Sequence, residues 1–491
     1  MGLAGIDFSG KEHAMNGKHA RSEEKPGQTD SLQLPAFQRR PPRAERLALG
    51  KHLREACPRT SHAAWKAPPD RPEPVQLVLK TDKGRISELL PLRHGRMAQS
   101  PFTFYRGSAF AMAVDLAGTP STGVRVQCGG DSHLVNFRGL ATPERQVIFA
   151  INDLDETLPA PWEWDLKRLA ASIVIACRDN GLSESVGKDA VLDCVRSYRE
   201  HMAEFAEMTV LDLWYSAVEV ETLIAGIKDP GIRHRAIKRL EKERASSTSE
   251  GIFPKLTAVS GGAPVIKDNL PAIFHWKGHV AGRIHEDVQR TFDRYRESLR
   301  PAHRILLDRY EIKDAALKVV GVGSVGTACW VMLFVADEGD ALILQVKEAR
   351  ASVLEGHAGK SVFPNHGQRV VNGIRLMQPA SDIFLGWTEG RLGRHFYVRQ
   401  LRDVKIKMAV ETFGAAEMAL FARWCGHSLA LSHARSGDPA IISGYLGKSD
   451  AFDGALAAFS VAYADQNERD HAALKRAIRA GKVKAIIEKA K

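Results

Sequence analysis

Several absences narrow this chain before any motif is read. Its six cysteines, Cys57, Cys128, Cys177, Cys194, Cys329 and Cys425, are scattered and never form a C-x-x-C pair. Their spacing therefore argues for neither a zinc site nor a disulfide framework, and it suits a reducing compartment. No apolar run approaches the roughly 20 residues that span a bilayer, and the start lacks the basic-then-apolar pattern of a secretory signal. Gly2 stands where a myristate could be attached, but Ile6 takes the position where that motif wants Ser or Thr. A soluble, cytoplasmic protein without a membrane partner is expected. There is also no basic stripe with interleaved aromatics, so nucleic acid is not the expected partner despite a net charge of +11. The excess is peripheral: residues 1–100 carry 18 Lys/Arg against 11 Asp/Glu, and the last 25 residues carry 8 against 3.

What is present is a chain of 491 residues with 44% apolar content, enough to bury two to four lobes. Residues 1–84 are basic and rich in Pro, Gly and Ser, with Arg39-Arg40-Pro41-Pro42-Arg43 and Pro68-Pro69 breaking helices. They read as a largely disordered extension holding one short helix near Ala44 to Ala56. Residues 85–300 read as mostly helical, 301–402 as a small β-rich part, and 403–491 as further helices. A Ser/Gly-rich break from Ser246 to Gly262 is a candidate boundary.

Carboxylates, an amide and a histidine crowd into one place. Val124 to Cys128 reads as a strand ending in Gly129-Gly130, followed by the loop Asp131-Ser132-His133-Leu134-Val135-Asn136. A second strand, Val147 to Ile151, delivers Asn152-Asp153-Leu154-Asp155-Glu156. Two strand ends facing one another would gather Asp131, Asn136, Asp153 and Asp155, a hard-oxygen set suited to magnesium. Each residue alone is an ordinary turn cap. Upstream, Arg106 could bind phosphate or form a structural ion pair. Downstream, a helix from Leu166 to about Asp179 carries an apolar face at Leu169, Ile173, Ala176 and Cys177.

A second concentration lies at residues 316–347. Strand-like Leu317 to Val320 leads into Gly321-Val322-Gly323-Ser324-Val325-Gly326, and Cys329 to Val335 follows. As a dinucleotide fingerprint the glycines would need a helix after Gly326. The segment that follows is β-branched and aromatic, and favours a strand. A glycine loop between antiparallel strands, then a strand ending at Lys347, is instead how kinases cover and grip ATP phosphates; a plain hairpin is the bland alternative. A helix from Gln368 to Gln378 and strands at Ile383 to Trp387 and Phe396 to Gln400 come next.

Four stretches carry a resemblance: Ser100-Pro101-Phe102-Thr103-Phe104-Tyr105-Arg106-Gly107, Gly130 to Phe137, Asn152 to Thr157 and Trp164-Asp165-Leu166-Lys167-Arg168-Leu169-Ala170. Together they resemble the bacterial family called domain of unknown function twenty-two fifty-two, from about Ile86 to the C-terminal helices. The same motifs resemble aminoglycoside-phosphotransferase-type kinases, with Gly-Asp-x-His-x-x-Asn as catalytic loop and Ile-Asp-x-Asp as metal strand. The resemblance implies an α+β, protein-kinase-like, two-lobed fold with a mostly helical large lobe and a small antiparallel β lobe. It implies ATP and Mg2+ as cofactors, with Asp131 as catalytic base and Asn136 and Asp153 as magnesium ligands. Asp155 would be an auxiliary carboxylate and Asp165 the cap of the following helix. Gly321, Gly323, Ser324, Gly326 and Lys347 would grip nucleotide phosphates, and the connector at Val398 and Gln400 would meet adenine. Because Gly321 and Lys347 follow Asp131 in the chain, the fold must be circularly permuted, which surface termini tolerate. No glutamate in Gln368 to Gln378 is available to pair Lys347; Glu355 and Gln378 are the nearest substitutes.

The expected function is an ATP/Mg-dependent phosphotransferase acting on an unknown hydroxyl-bearing small molecule or protein. A nucleotide-binding scaffold of the same fold is the alternative that the missing glutamate suggests. A third reading takes Asp153-Leu154-Asp155-Glu156-Thr157 as the nucleophile loop of a haloacid-dehalogenase-type phosphatase, although Gly130-Asp131 precedes it where such enzymes place their metal motif after.

Overall fold

The computed structural model describes residues 40–246, 256–275, 284–337, 340–390, 393–401 and 405–488, and the account below concerns the compact unit from Pro41. Segments with apolar residues at helical spacing form α1 (Arg43–Ala56), α2 (Pro101–Gly107), α3 (Ala109–Leu116), α4 (Trp162–Asp179) and α5 (Glu184–Glu207). Later in the chain come α6 (Ile284–Ser298), α7 (His366–Met377), α8 (Ala415–Ser436), α9 (Pro439–Leu446) and α10 (Ala451–Arg479). Shorter helical turns join them. The result is a mixed α+β protein. Among the described residues, no helix is long and apolar enough to cross a membrane.

The strands of the first half are β1 (Arg125–Cys128), β2 (Phe137–Ala141), β3 (Val147–Ile151) and β4 (Leu158–Pro161). The two strands expected to face one another as a pair belong to different sheets. β1 pairs with β4, while β3 pairs with β2, which in turn pairs with β13 (Lys405–Ile406). The loops after β1 and β3 still meet, because Asn152 N donates to Asn136 O at 2.7 Å.

A larger antiparallel sheet has the order β11 (Gly386–Glu389), β12 (His395–Gln400), β10 (Ala341–Ala349), β9 (Cys329–Val335), β8 (Glu311–Lys318) and β7 (Ile273–Phe274). β10 sits between β12 and β9, with Lys347 opposite Tyr397 on one side and Cys329 on the other. α7 packs on this sheet and on the segment after β3. Two glycines permit that approach: a Cβ on Gly367 would lie 2.0 Å from Phe396 O, and one on Gly373 would lie 2.3 Å from Thr157 Cγ2. The expected break from Ser246 to Gly262 falls partly outside the described residues, and its described end forms the hairpin β5 (Thr257–Ser260) and β6 (Ala263–Ile266).

One expectation fails at the N-terminal side. Residues 1–39 lie outside the described part, but from Arg43 onward the supposed extension is built into the fold. Arg54 donates to Tyr445 O at 2.8 Å, and His62 Nε2 lies 2.8 Å from Tyr445 Oη. Arg71, only 6% exposed, pairs with Asp115 and Asp470 at 2.7 Å each. Composition reads as disorder because prolines and arginines are exposed in most chains; here the arginines are spent on buried partners far away in sequence.

α4 is the platform beneath the candidate site. It is buried along Trp162–Cys177, including the ionisable residues Glu163, Asp165, Lys167 and Arg168. Burying charged groups is costly unless each is partnered. Glu163 accepts from Thr122 Oγ1 at 2.6 Å, Lys167 donates to Pro120 O at 3.4 Å, and Asp165 and Arg168 reach the loop after β1. The apolar stripe expected on one face is therefore only part of a fully enclosed helix.

Candidate functional site

The turn after β1 is shaped by Gly130, whose φ of +76° suits glycine and whose absent Cβ would lie 2.6 Å from Glu156 O. The Asp165 carboxylate holds the turn from below, accepting from Gly129 N at 2.6 Å and Gly130 N at 2.9 Å. Asp165 was expected to cap its own helix. α4 instead begins at Trp162 after Pro161, and Asp165, already inside the first turn, clamps the preceding loop. Behind it, His433 Nε2 lies 3.3 Å from Asp165 Oδ2, and His433 Nδ1 lies 2.9 Å from Tyr198 Oη. Cys128, Asp165 and His433 bring potential ligand atoms within 4.8 Å of one another. The carboxylate is already committed to two backbone amides, and burial pushes the Cys128 thiol well up, so this group reads as a brace.

The loop itself is closed by its own polar groups. Asn136 Nδ2 donates to Asp131 O at 2.7 Å, and Leu134 N donates to Ser172 Oγ at 3.0 Å. The Asp131 carboxylate accepts from Arg168 Nε at 2.8 Å and Nη2 at 2.5 Å. Burial raises its pKa to about 6; Arg168 opposes the shift and the Asp153 charge adds to it. His133 Nε2 is 3.8 Å from Asp131 Oδ2, and burial, with Arg168 and Arg106 nearby, keeps that imidazole neutral.

From the other half of the chain comes Lys347. Its Nζ lies 3.0 Å from Asp153 Oδ1 and 2.5 Å from Asp155 Oδ2, and Tyr397 Oη donates to Asp155 Oδ1 at 2.6 Å. Burial disfavours the Asp153 carboxylate, but Lys347 and then Arg399 overcome it and pull the pKa below its ordinary value. Asp155 is pushed up by burial and by the Asp153 charge. Lys347 is buried, yet the two carboxylates hold it charged. Its partners are thus the aspartates after β3. Neither substitute considered from sequence reaches it: Gln378 Nε2 donates to Ile151 O at 2.6 Å, and Glu355 accepts from Ser352 N at 3.2 Å. α7 contributes a cation instead, Arg369, which donates to Asp155 O and Arg350 O at 2.8 Å each.

These groups line one cavity of about 890 Å³, with Asp131, Asn136, Asp153, Lys347, Gly321, Gly323 and Ser324 in its wall. Arg106, Arg138 and Arg399 line it too. Gly326 does not; its carbonyl accepts from Ile86 N at 2.7 Å. Asp155 lines a neighbouring cavity. Val398 and Gln400, expected at the connector, also lie outside this wall. Gln345 and Lys347 face the cavity, their cross-strand partners are Arg399 and Tyr397, and alternation puts Val398 and Gln400 on the opposite side. Val398 is core, and Gln400 N is bonded to the Asp382 carboxylate. The connector meets the cavity through Arg399 and Leu401.

The residues fit a hard cation. Asn136 spends its amide nitrogen on Asp131 O, which leaves its oxygen without a hydrogen-bond partner among the described residues, and Asp153 is hydrogen-bonded through Oδ1 only. Arg106, weighed from sequence between phosphate binding and an ion pair, makes no ion pair among the described residues, and its buried Nε has no partner. Sequence reasoning missed Arg168, Arg399 and Tyr397. Arg168 was findable, standing one turn after Asp165 on the same helix face. No curated protein and no solved structure matches the chain. The profile of a family described as an uncharacterized protein conserved in bacteria, DUF2252, matches residues 85–477, and the chain belongs to that family.

Proposed function

We propose that the protein is an ATP- and magnesium-dependent phosphotransferase with a circularly permuted, kinase-like arrangement. The observation that carries this reading is the ion pair of Lys347 with Asp153 and Asp155, in a cavity that also takes in Asp131, Asn136 and the Gly321–Ser324 backbone. A lysine from a central strand, a glycine loop and two metal-binding side chains are the parts that phosphoryl transfer needs, because its catalysis is mainly positioning and charge stabilisation. The order of elements agrees: glycine loop, lysine strand β10, helix α7, strands β11 and β12, then a connector leading to β13 beside β2.

Asn136 and Asp153 would hold magnesium, which neutralises phosphate charge when bound. Lys347 and the loop amides bind the nucleotide phosphates, and Arg106 and Arg138 add positive charge to the same wall. Asp131, held by Arg168, orients the acceptor hydroxyl. The acceptor oxygen bonds to the γ-phosphorus, the bond from that phosphorus to the β–γ bridging oxygen breaks, ADP leaves, and the hydroxyl proton passes to Asp131.

The test is a thermal shift of the full chain with ATP, with and without magnesium, followed by phosphate transfer to a panel of hydroxyl compounds. Magnesium-dependent stabilisation that is lost in Asp153→Ala supports the enzyme. Stabilisation by ATP that ignores magnesium favours a nucleotide-binding scaffold, the reading motivated by α7 offering Arg369 where a carboxylate would pair the lysine. The phosphatase reading would need Asp153 free to attack, whereas Lys347 holds it and β3 lies in an antiparallel sheet.

A further inference from the structure

A second cavity, of about 1250 Å³, opens beside the first. Arg106, Asp131, Asp153, Gly323 and Ser324 line both, so the two carboxylates stand in the wall between them. The wall of the second cavity also carries Lys80, Arg85 and Arg350 together with the ring of Phe110.

Its wall carries five carboxylates and five cations, but among the described residues none of these is ion-paired with another. The acids in the wall are engaged: Asp131 by Arg168, Asp153 and Asp155 by Lys347, and Glu348 by Ala328 N at 2.8 Å. Glu156 accepts from Val353 N at 2.7 Å. Arg93, also in the wall, is consumed by Asp82 at 2.7 Å. By contrast, among the described residues the Arg85 side chain reaches only the carbonyls of Thr81 and Val325, and that of Arg350 only the carbonyl of Lys83. Lys80 lies over the Phe110 ring at 5.1 Å. None of Lys80, Arg85, Arg106 and Arg350 has a carboxylate within ion-pair distance among the described residues. Carbonyls accept hydrogen bonds but do not neutralise, and crowded guanidiniums repel: burial, then Arg93 and Arg350, bring the Arg85 pKa down to about 9. A bound anion would relieve that repulsion.

We propose that the second cavity holds the phosphate acceptor, and that the acceptor is a small alcohol already bearing a phosphate or carboxylate group. Arg85, Arg350 and Lys80 bind the anionic group, while the hydroxyl reaches Asp131 in the shared wall. Phe110 gives the carbon skeleton an apolar surface. This assignment rests on the phosphotransferase reading above.

Inorganic phosphate is titrated calorimetrically into the full-length protein saturated with a non-hydrolysable ATP analogue and magnesium, so that the first cavity is already filled. Phosphate should still bind, and Arg350→Met should weaken it about tenfold or more, the loss expected for a charge-assisted pair. Arg85→Met should do the same. Because Arg85 also anchors the glycine loop, the exposed Lys80→Met is a variant that risks no folding defect, and it should weaken binding about threefold. Succinate in place of phosphate distinguishes a carboxylate from a phosphate preference. The proposal is overturned if phosphate fails to bind the loaded protein, competes with the analogue, or binds all three variants as well as wild type. An analogue that does not bind at all overturns the phosphotransferase reading and the acceptor role with it. Phosphate binding by the nucleotide-free protein, sensitive to Arg350→Met, would then mark the cavity as an anion site of another kind.

Discussion

Asp131 and Asp153 face the same cavity from the ends of two strands in different sheets, and their surroundings drive them in opposite directions. Asp131 has one arginine partner and is dominated by burial, which raises its pKa to about 6. Asp153 has a lysine at 3.0 Å and Arg399 beyond it, and is held ionised. Paired carboxylates whose environments push their pKa values apart take different chemical roles. In the proposed phosphotransferase the first would accept a proton near neutral pH, and the second would keep its charge for a cation.

The largest expected effect breaks the Asp153 arm. Asp153→Ala removes the charge that would hold magnesium and should lower magnesium-dependent ATP turnover on the order of a thousandfold, measured as ADP release at saturating ATP. Turnover that survives this change would place the metal elsewhere. The matching change on the other arm, Asp131→Asn, should cost about 10²–10⁴-fold in transfer to the acceptor, the range for loss of a general base, with nucleotide affinity little altered.

The next effect tests how rigidly the Asp131 arm is held. Asp165→Ala leaves Gly129 N and Gly130 N without their buried acceptor, which should destabilise the fold by about 2–4 kcal/mol in denaturant unfolding. Activity should fall with it. A variant as stable as wild type would show that these bonds are replaceable by water.

A smaller pair of effects has opposite signs. A folded-state pKa raised from 3.8 to about 6 means that the contribution of Asp131 to stability is intact below 3.8 and is lost as pH rises through 6. Asp131→Asn should therefore flatten the fall in stability between about pH 4 and 6, while lowering Tm near pH 7.5 because the buried Arg168 loses its carboxylate. For Asp153 the folded pKa is depressed, so its contribution is present above the ordinary carboxylate range and disappears as pH falls below it. Asp153→Asn should lower Tm near neutrality by less than ~1 kcal/mol in equivalent stability, since a side chain 34% exposed is partly screened. pH slopes of stability changed in the same direction by both variants would refute the comparison.

Much of this site was legible in the chain because it is written locally. Polar turns after β-branched runs placed Asp131 and Asp153, and the glycine run followed by aromatic and β-branched residues argued for a hairpin over a dinucleotide loop. The pairing of β1 was not legible, because its partner Leu158–Pro161 contains two prolines and does not read as a strand. Lys347 was found by analogy, but its partners were sought on the following helix, where lysine partners commonly lie. The real ones stand 194 and 192 residues upstream, a separation that no local pattern encodes. The position of Val398 and Gln400 outside the cavity has a simpler reason. Placing Lys347 in the cavity fixes which face of β12 can reach it, and that face carries Tyr397, Arg399 and Leu401.

A narrower change sharpens the Asp153 arm without removing any charge. Tyr397 stands opposite Lys347 across the β10–β12 pair, and its hydroxyl donates to the Asp155 oxygen that Lys347 does not take. Asp155 is thus fixed from both sides, and through it so is the lysine. Tyr397→Phe keeps the ring beneath Lys347 and deletes only the hydroxyl. One hydrogen bond to a charged group is worth about 1.5–3 kcal/mol when fully buried, but Asp155 keeps Lys347 and can rotate toward it. The net cost should be nearer 1 kcal/mol, seen as a roughly fivefold rise in KM for ATP with kcat nearly unchanged. The effect should vanish in an Asp155→Asn background, where the shared partner is neutral and a double-mutant cycle should show strong coupling. Additive costs in that cycle would mean that Tyr397 acts on the nucleotide by another route, and that Lys347 is positioned by Asp153 alone.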